Sequence, residues 1–159
     1  MKLKYLGILL LSLTSCGGSI GAGTLGGWKT VVFPVAEKHI DTAIHSLYTN
    51  YAKYNVPKKW KAESESWNEA GYDFLKPIFI YFNSGPEEMF YITYIDGGYG
   101  TQNPEWARIA IRAVYTEQIG WKKNTEYNDN EKNRIDKRFW NEIITKLEDY
   151  TKTKATREE

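Results

Sequence analysis

Two histidines are the first residues in this chain whose chemistry draws attention, since imidazole is the commonest metal ligand in proteins. His39 and His45 lie six residues apart in a segment with helical periodicity. On a helix this spacing turns one imidazole about 120° from the other, whereas a helical zinc site uses positions four apart. We therefore predict no metal site here. Glu37, Asp41 and His45 follow at intervals of four and are expected to form a solvated charged stripe.

Nucleophilic catalysis would require an activated serine or cysteine. Ser84 lies in the segment FNSGP, which lacks the G-x-S-x-G pattern of a nucleophile elbow. Serine also favours turns because its hydroxyl bonds nearby backbone groups. The surroundings of Ser84 therefore predict a turn and no hydrolytic nucleophile.

Paired carboxylates are the remaining catalytic option, because cleavage of a glycosidic bond needs two carboxyl groups facing each other across it. Acidic residues are frequent in the segments between the predicted helices and strands: Glu63, Glu65, Glu69, Glu87, Glu88, Asp96 and Glu105. They make a cell-wall-acting hydrolase the alternative hypothesis. Most acidic loop residues are only solvated, and no residue pattern predicts a cofactor.

Aromatic residues are unusually abundant, at 15% of the chain, with twelve tyrosines and six tryptophans. A domain of this size cannot bury all of them, and exposed tyrosine and tryptophan are enriched in interface hot spots. The predicted strands and the glycine-containing loop beside them carry Tyr81, Tyr91, Tyr94 and Tyr99. We predict that these four tyrosines form a binding surface.

The elements expected to position these residues are two long helices and three strands. Apolar residues at helical spacing predict helices over about 34–54 and 131–150. Runs rich in β-branched and aromatic residues predict strands over 78–82, 89–95 and 106–115. The sequence therefore predicts an α+β fold, in which a three-stranded antiparallel meander is flanked by the two helices.

Local patterns refine this prediction. The first strand, IFIYF, shows no polar alternation and is expected at the centre of the sheet, either covered on both faces or bordering an aromatic patch. In the third, Arg108 and Arg112 alternate with Ile109 and Ile111, which indicates one wet face and one buried face. Asn128 precedes Glu131 by three residues, as in a helix capping box.

Two further segments have an ordinary structural interpretation. The loop YIDGGYG (94–100) lacks phosphate-binding spacing and is expected to be a long turn that presents Tyr99. In VPKKWK (56–61), three lysines surround Trp60 and suggest a solvated helix exit. The final segment, 151–159, lacks apolar runs and is predicted to be a disordered tail.

The only cysteine, Cys16, follows a short apolar run near the N-terminus. Lys2 and Lys4 precede the nine apolar residues YLGILLLSL, which are too few to span a bilayer but suit a secretion signal. The run ends in Leu13-Thr14-Ser15-Cys16, which resembles the lipobox of bacterial lipoproteins. Threonine and serine stand where that family often has alanine or glycine.

This resemblance covers only the N-terminal segment and implies export and anchoring. Residues 1–15 would be removed as a signal peptide, and Cys16 would carry the lipid, which excludes it from catalysis and disulfides. Gly17 replaces the aspartate that retains enterobacterial lipoproteins in the inner membrane, so the resemblance favours the outer membrane in a host that has one. Residues 16–27 then form the lipidated end and a glycine-rich tether, and 28–150 form one domain.

Removal of residues 1–15 takes away two lysines and changes the formal net charge from +1 to −1. A near-neutral chain offers no electrostatic footprint for nucleic acid. We therefore expect a lipid-anchored envelope protein that acts as a non-catalytic binding module. Its expected partner is an envelope protein, in the manner of small immunity-type lipoproteins.

Overall fold

A computed structural model describes residues 28–67, 76–95 and 105–158 of the chain. Its strands are β1 (Val31–Phe33), β2 (Ile78–Phe82), β3 (Glu88–Tyr94), β4 (Ala107–Thr116), β5 (Gly120–Lys122) and β6 (Thr156–Arg157). Its helices are α1 (Glu37–Asn50), α2 (Lys61–Trp67), α3 (Asp129–Phe139) and α4 (Thr145–Thr151). The predictions about the signal peptide, Cys16, the tether and Tyr99 concern residues outside these ranges.

The strands form one antiparallel sheet in the order β2-β3-β4-β1-β6, and β5 also pairs with β4. The predicted meander of three consecutive strands is present as β2, β3 and β4. It is extended by three short strands, since β1 pairs with the beginning of β4, β5 pairs with its end, and β6 pairs with β1. The fold is mixed α+β, as predicted, with a larger sheet than expected.

Side-chain alternation gives the sheet two different faces. On the inner face, residues from each long strand join α1, α3 and α4 in the main core; examples are Ile80, Ile92 and Ile109, each about 1% exposed. Intervening residues such as Tyr81 and Met89 point to the outer face and belong to a second cluster. The helices cover the inner face, so the outer face can present other side chains.

The C-terminal helical segment is continuous from α3 to α4 through a π-helical turn, Trp140–Ile144. Asn128 caps α3 as predicted, because its Oδ1 accepts the Glu131 N–H at 3.0 Å. The Glu131 carboxylate does not return this bond and accepts from Arg134 Nε instead. Within the described ranges, no helix has the length and apolar character needed to cross a membrane.

The prediction that IFIYF lies at the centre of the sheet is wrong, because β2 is an edge strand. The predicted coverage of both faces is confirmed, since Ile80 and Phe82 belong to the main core and Tyr81 belongs to the second cluster. The edge of the strand is also protected. The Tyr48 hydroxyl on α1 donates to the Phe79 carbonyl at 3.0 Å. The helical turn Ala52–Tyr54 packs beside the same strand, where the Tyr54 ring meets Phe82 edge-on.

The disordered tail predicted for 151–159 is also incorrect over the described part, 151–158. Ala155 is buried, and its N–H donates to the Glu148 carboxylate at 2.9 Å. The Arg157 guanidinium binds Asp136 at 2.7 Å and lies over the Trp140 ring. These contacts hold β6 beside β1 although the segment has no apolar run.

Glu88 is the most deeply buried acidic residue among those described, at 1% exposure. Arg134 holds its carboxylate through two parallel bonds of 2.9 Å, and Arg138 Nη1 adds a third at 2.7 Å. Arg138 also donates to the carbonyls of Ser84 and Pro86 in the β2–β3 turn. One buried carboxylate thus attaches the hairpin to α3.

Glu88→Gln should lower the free energy of unfolding by about 3 kcal/mol, because it removes the buried charge that binds both Arg138 and the more exposed Arg134. The comparison variant is Glu131→Gln, whose carboxylate is 45% exposed and touches the same Arg134. It should change stability by less than about 0.5 kcal/mol. Urea unfolding measures both, and equal effects would contradict the central role of Glu88.

Candidate binding surface

The outer face of the sheet carries a cluster of aromatic rings from several elements. β2 supplies Phe79 and Tyr81 because alternate residues of a strand point to the same face. We define the outer aromatic cluster by six residues: Trp60, Phe79, Tyr81, Tyr91, Tyr115 and Trp121. Trp60 reaches it from the turn Lys58–Trp60, which precedes α2.

The rings of this cluster contact one another in series. Trp60 meets Tyr81 and Tyr115 edge-on, with centroids 5.2 and 5.0 Å apart. Tyr115 contacts Trp121 at 5.4 Å. At the other side, Phe79 stacks on Tyr91 at 5.3 Å. Such contacts contribute about 0.5–1.5 kcal/mol each beyond the burial of area, so the cluster forms a rigid platform.

Burial divides the cluster into a base and a surface. Trp60 and Tyr91 are 2% exposed, and Tyr81 is 9% exposed, so these three form the base. Phe79, Tyr115 and Trp121 are half-buried and form its accessible part. The prediction of a solvated helix exit at 56–61 is therefore wrong for Trp60, while Lys58, Lys59 and Lys61 are exposed as expected.

The four tyrosines predicted to form a binding surface do not share one. Tyr81 and Tyr91 lie on the outer face but are buried, and Tyr99 lies outside the described residues. Tyr94 belongs to the inner core, where its hydroxyl donates to Asp41 at 2.6 Å. Burial, and then the Asp41 carboxylate, raise the pKa of Tyr94. The predicted surface is corrected to one formed by different aromatic side chains.

A hairpin between β4 and β5 extends this surface. Tyr115 pairs with Trp121 across the two strands, and Gly120 adopts a left-handed conformation with φ of 81°. Ile119, in the turn, is 59% exposed, the highest value for a large apolar side chain in the described ranges. An exposed isoleucine therefore lies close in the chain to two half-buried aromatic rings.

Charged residues surround the cluster. Tyr81 donates its hydroxyl proton to Glu87, and Lys59 binds Glu87 at 2.8 Å and Glu117 at 3.7 Å. The Lys59 ammonium also lies 5.1 Å from the Trp60 ring. The bond from Lys59, followed by that from Tyr81, lowers the pKa of Glu87. Burial is the main cause that raises the pKa of Tyr81.

A β-bulge places one arginine on the same face. Tyr91 pairs with Ala113, but Ile92 pairs with Ile111, so Arg112 is the extra residue in β4. Its Nε donates to Thr93 Oγ1 at 2.7 Å, and burial lowers its pKa. The predicted alternation of outward and inward side chains in β4 is therefore present from Arg108 to Ile111. After Ile111 the bulge changes which face each residue points to.

Three of the described carboxylates proposed for catalysis, Glu65, Glu87 and Glu88, are engaged by basic residues. Glu88 is held by two arginines, and the pKa of Glu87 is lowered, the opposite of what a general acid requires. Glu65 lies 3.5 Å from Lys61, and Glu63 lies on α2 beside the outer cluster. Two other candidates, Glu69 and Asp96, are outside the described ranges.

The histidines and the clefts provide fewer groups for catalysis or metal binding than the carboxylates do. Both histidines are exposed on α1, and His39 lines a groove of about 240 Å³ with Ser46 and Tyr150. A second cleft, of about 450 Å³, lies between the β2–β3 turn and α3, and its one carboxylate, Glu142, is bound by Arg138. In the part of the chain that the structure describes, no three metal-binding side chains come together.

No family model matches the chain, and neither the curated proteins nor the solved structures include a significant match.

Four members of the outer cluster were missed from the sequence: Trp60, Phe79, Tyr115 and Trp121. Tyr115 ends a strand that was correctly located, but regular alternation from Ile109 and Ile111 would place it on the inner face, and only the bulge at Arg112 brings it to the outer face. Gly120 after a polar segment is a turn signal that could have identified β5 and Trp121. Nothing in the sequence indicates that Trp60 packs against Tyr81.

Lys59→Met should raise the pKa of Glu87 toward its ordinary value more than Tyr81→Phe does, because the Lys59 bond is the larger cause of the lowering. Carbon-13 NMR titration of the Glu87 carboxyl measures both shifts. Lys61→Met, which removes the neighbouring lysine that pairs with Glu65, should leave the Glu87 pKa unchanged. A larger effect from Tyr81→Phe would contradict this order.

Proposed function

We propose that this protein is a lipid-anchored component of a bacterial cell envelope that acts as a non-catalytic binding module for a protein partner. The observation that carries the proposal is the accessible aromatic surface formed by Phe79, Tyr115 and Trp121, with Ile119 at its margin. Tyrosine and tryptophan on a rigid, well-packed base are the side chains that dominate protein interface hot spots.

The form of this surface supports a protein partner rather than a small ligand. The accessible rings lie on three strands of a sheet that is held by two internal clusters. Small-molecule sites are concave and bury most of their ligand. The two clefts described above contain none of these rings. A sheet face with rigid aromatic side chains instead suits a broad protein surface.

Anchoring is proposed from the sequence Leu13-Thr14-Ser15-Cys16, which resembles a lipobox. Two or three acyl chains at Cys16 would hold the protein stably, because each buried methylene contributes about 0.8 kcal/mol. The glycine-rich segment 17–27 would then reach about 18 Å as a flexible coil and keep the domain near its membrane. An immunity-type role, in which the domain captures a toxin that enters the envelope, belongs to the same proposal.

The anchoring proposal predicts that Cys16→Ala abolishes the incorporation of labelled fatty acid and leaves an uncleaved precursor. Metabolic labelling followed by gel electrophoresis detects the lipid, and mass spectrometry of the N-terminus detects the processing. Ser15→Ala, which keeps a small residue before the cysteine, serves as the control and should be lipidated normally. Labelled lipid on the Cys16→Ala chain would refute the proposal.

The binding proposal predicts a protein partner that can be crosslinked to the lipidated protein in native envelopes. Trp121→Ala should weaken its capture about tenfold or more, as loss of a hot-spot side chain of about 2 kcal/mol would. Ile119→Ser tests the same surface at an exposed position, where the fold is not affected. Tyr51→Ala changes another exposed aromatic residue, one that lies beside Lys146 of α4, and should have no effect.

Two results would contradict the binding proposal. One is capture that is equally strong for the Trp121, Ile119 and Tyr51 variants. The other is retention of the protein on cell-wall material with no protein partner, which would favour the alternative, a cell-wall hydrolase with paired carboxylates. Release of soluble sugar fragments from purified cell wall would then be the decisive assay.

A further inference from the structure

The margin of the outer aromatic cluster carries more negative than positive charge. Glu63, Glu87 and Glu117 lie around it, Lys59 is the cation bound among them, and the half-buried Arg112 donates to Thr93 on the same face. Lys59 is closely paired with Glu87, at 2.8 Å, so Glu87 is neutralised. Its contact with Glu117 is longer, at 3.7 Å, and the Glu117 side chain is 64% exposed. Much of the Glu117 carboxylate therefore remains open to solvent.

Two of these carboxylates act on the same ring. Burial raises the pKa of the Tyr115 hydroxyl, and the charges of Glu63 and then Glu117 raise it further. Glu63 comes from α2 and Glu117 from the turn that follows β4, so they approach Tyr115 from different elements. The hydroxyl of a half-buried aromatic ring is thus close enough to two carboxylates for its pKa to be raised by their charges.

We propose that the surface of Tyr115, Trp121, Glu63 and Glu117 binds a protein segment that carries arginine or lysine side chains. This inference rests on the proposed function and specifies the chemistry of the partner. A guanidinium group can lie over an aromatic ring and bond a carboxylate at the same time. The charge of the surface disfavours an acidic segment, since like charges brought together at an interface cost free energy.

The protein itself contains one example of this mode of recognition. The Lys59 ammonium lies 5.1 Å from the centroid of Trp60 and binds the carboxylate of Glu87. Trp60 and Tyr115 are in edge-on contact. The neighbouring ring, Tyr115, therefore has Glu117 as its carboxylate in the way that Trp60 has Glu87. A basic side chain of the partner would repeat at Tyr115 the contacts that Lys59 makes at Trp60.

The test uses the full lipidated chain in neutral detergent micelles and two defined probes. One is a nonapeptide with a central phenylalanine and alternating arginine and alanine; the other has glutamate in place of each arginine. Changes in the indole N–H resonance of Trp121 report binding. The arginine peptide should bind at least about five times more tightly than the glutamate peptide and should lose most of its affinity at about 0.5 M salt.

The double variant Glu63→Gln and Glu117→Gln should weaken binding of the arginine peptide about fivefold, the loss expected for two exposed ion pairs. The matched control is Asp129→Asn with Asp149→Asn, which removes the same charge from exposed helical positions. It should change the affinity less than twofold. Because all four side chains are partly or fully exposed, the fold should survive in both variants.

Equal affinity for the two peptides, no binding of either one, or equal effects of the two double variants would each overturn the inference. None of these results affects the proposed function, which is decided by the Trp121-dependent capture of an envelope partner. Conversely, if that capture fails but the arginine peptide binds selectively, the surface binds basic side chains and the proposal of an envelope protein partner is wrong.

Discussion

The structure depends on one buried charge. Glu88 begins β3, yet its carboxylate is almost inaccessible and is satisfied by two arginines of α3. Arg138 also binds two carbonyls of the β2–β3 turn and lies over the Phe82 ring. Without these partners the carboxylate would have to be protonated or exposed, since an unpaired buried charge costs several kcal/mol. The position of the hairpin against the helix is therefore set by hydrogen bonds with defined directions as well as by apolar packing.

In this arrangement the two faces of the sheet have different structural roles. The inner face is occupied by α1, α3 and α4, whose apolar residues make it the main core. The outer face has its own smaller cluster, in which Trp60, Tyr81 and Met89 are buried beneath more accessible rings. Because its base is packed as a core, the accessible aromatic residues are held in fixed positions. Such preorganisation reduces the entropy that is lost on binding.

Much of the fold could be predicted because its long elements have clear periods. The two long helical segments, the Asn128 cap and the three long strands were located, although α1 (Glu37–Asn50) is shorter than the predicted helix over 34–54. The short strands β1, β5 and β6 could not be, since two or three residues show no period. The sequence predicts a solvated turn residue at Glu88, because nothing in a polar segment indicates that one of its charges is buried.

Of the tyrosines predicted for the candidate surface, Tyr81 and Tyr91 lie in the base of the outer cluster, and its accessible rings are other residues. Tyr91 and Tyr94 are three positions apart, so in a regular strand they point to opposite faces. The two side chains therefore cannot belong to one surface. Trp60 and Trp121 come from turns and a short strand whose positions depend on tertiary packing. The aromatic content of the chain therefore indicated that a surface exists, while only the strand register shows which rings form it.

The segment that precedes Trp28 enters the fold through β1, which lies between β4 and β6. If the protein is held to a membrane by its N-terminus, any pull on the bound domain is transmitted along β1. Both neighbours are antiparallel to it, so the pull loads their hydrogen bonds in shear, and those bonds resist it together. The backbone bond from Glu158 to Thr30 and the pair of Arg108 with Glu158 add to this resistance. Under such a pull, residues 156–158 would act as a mechanical clamp on β1.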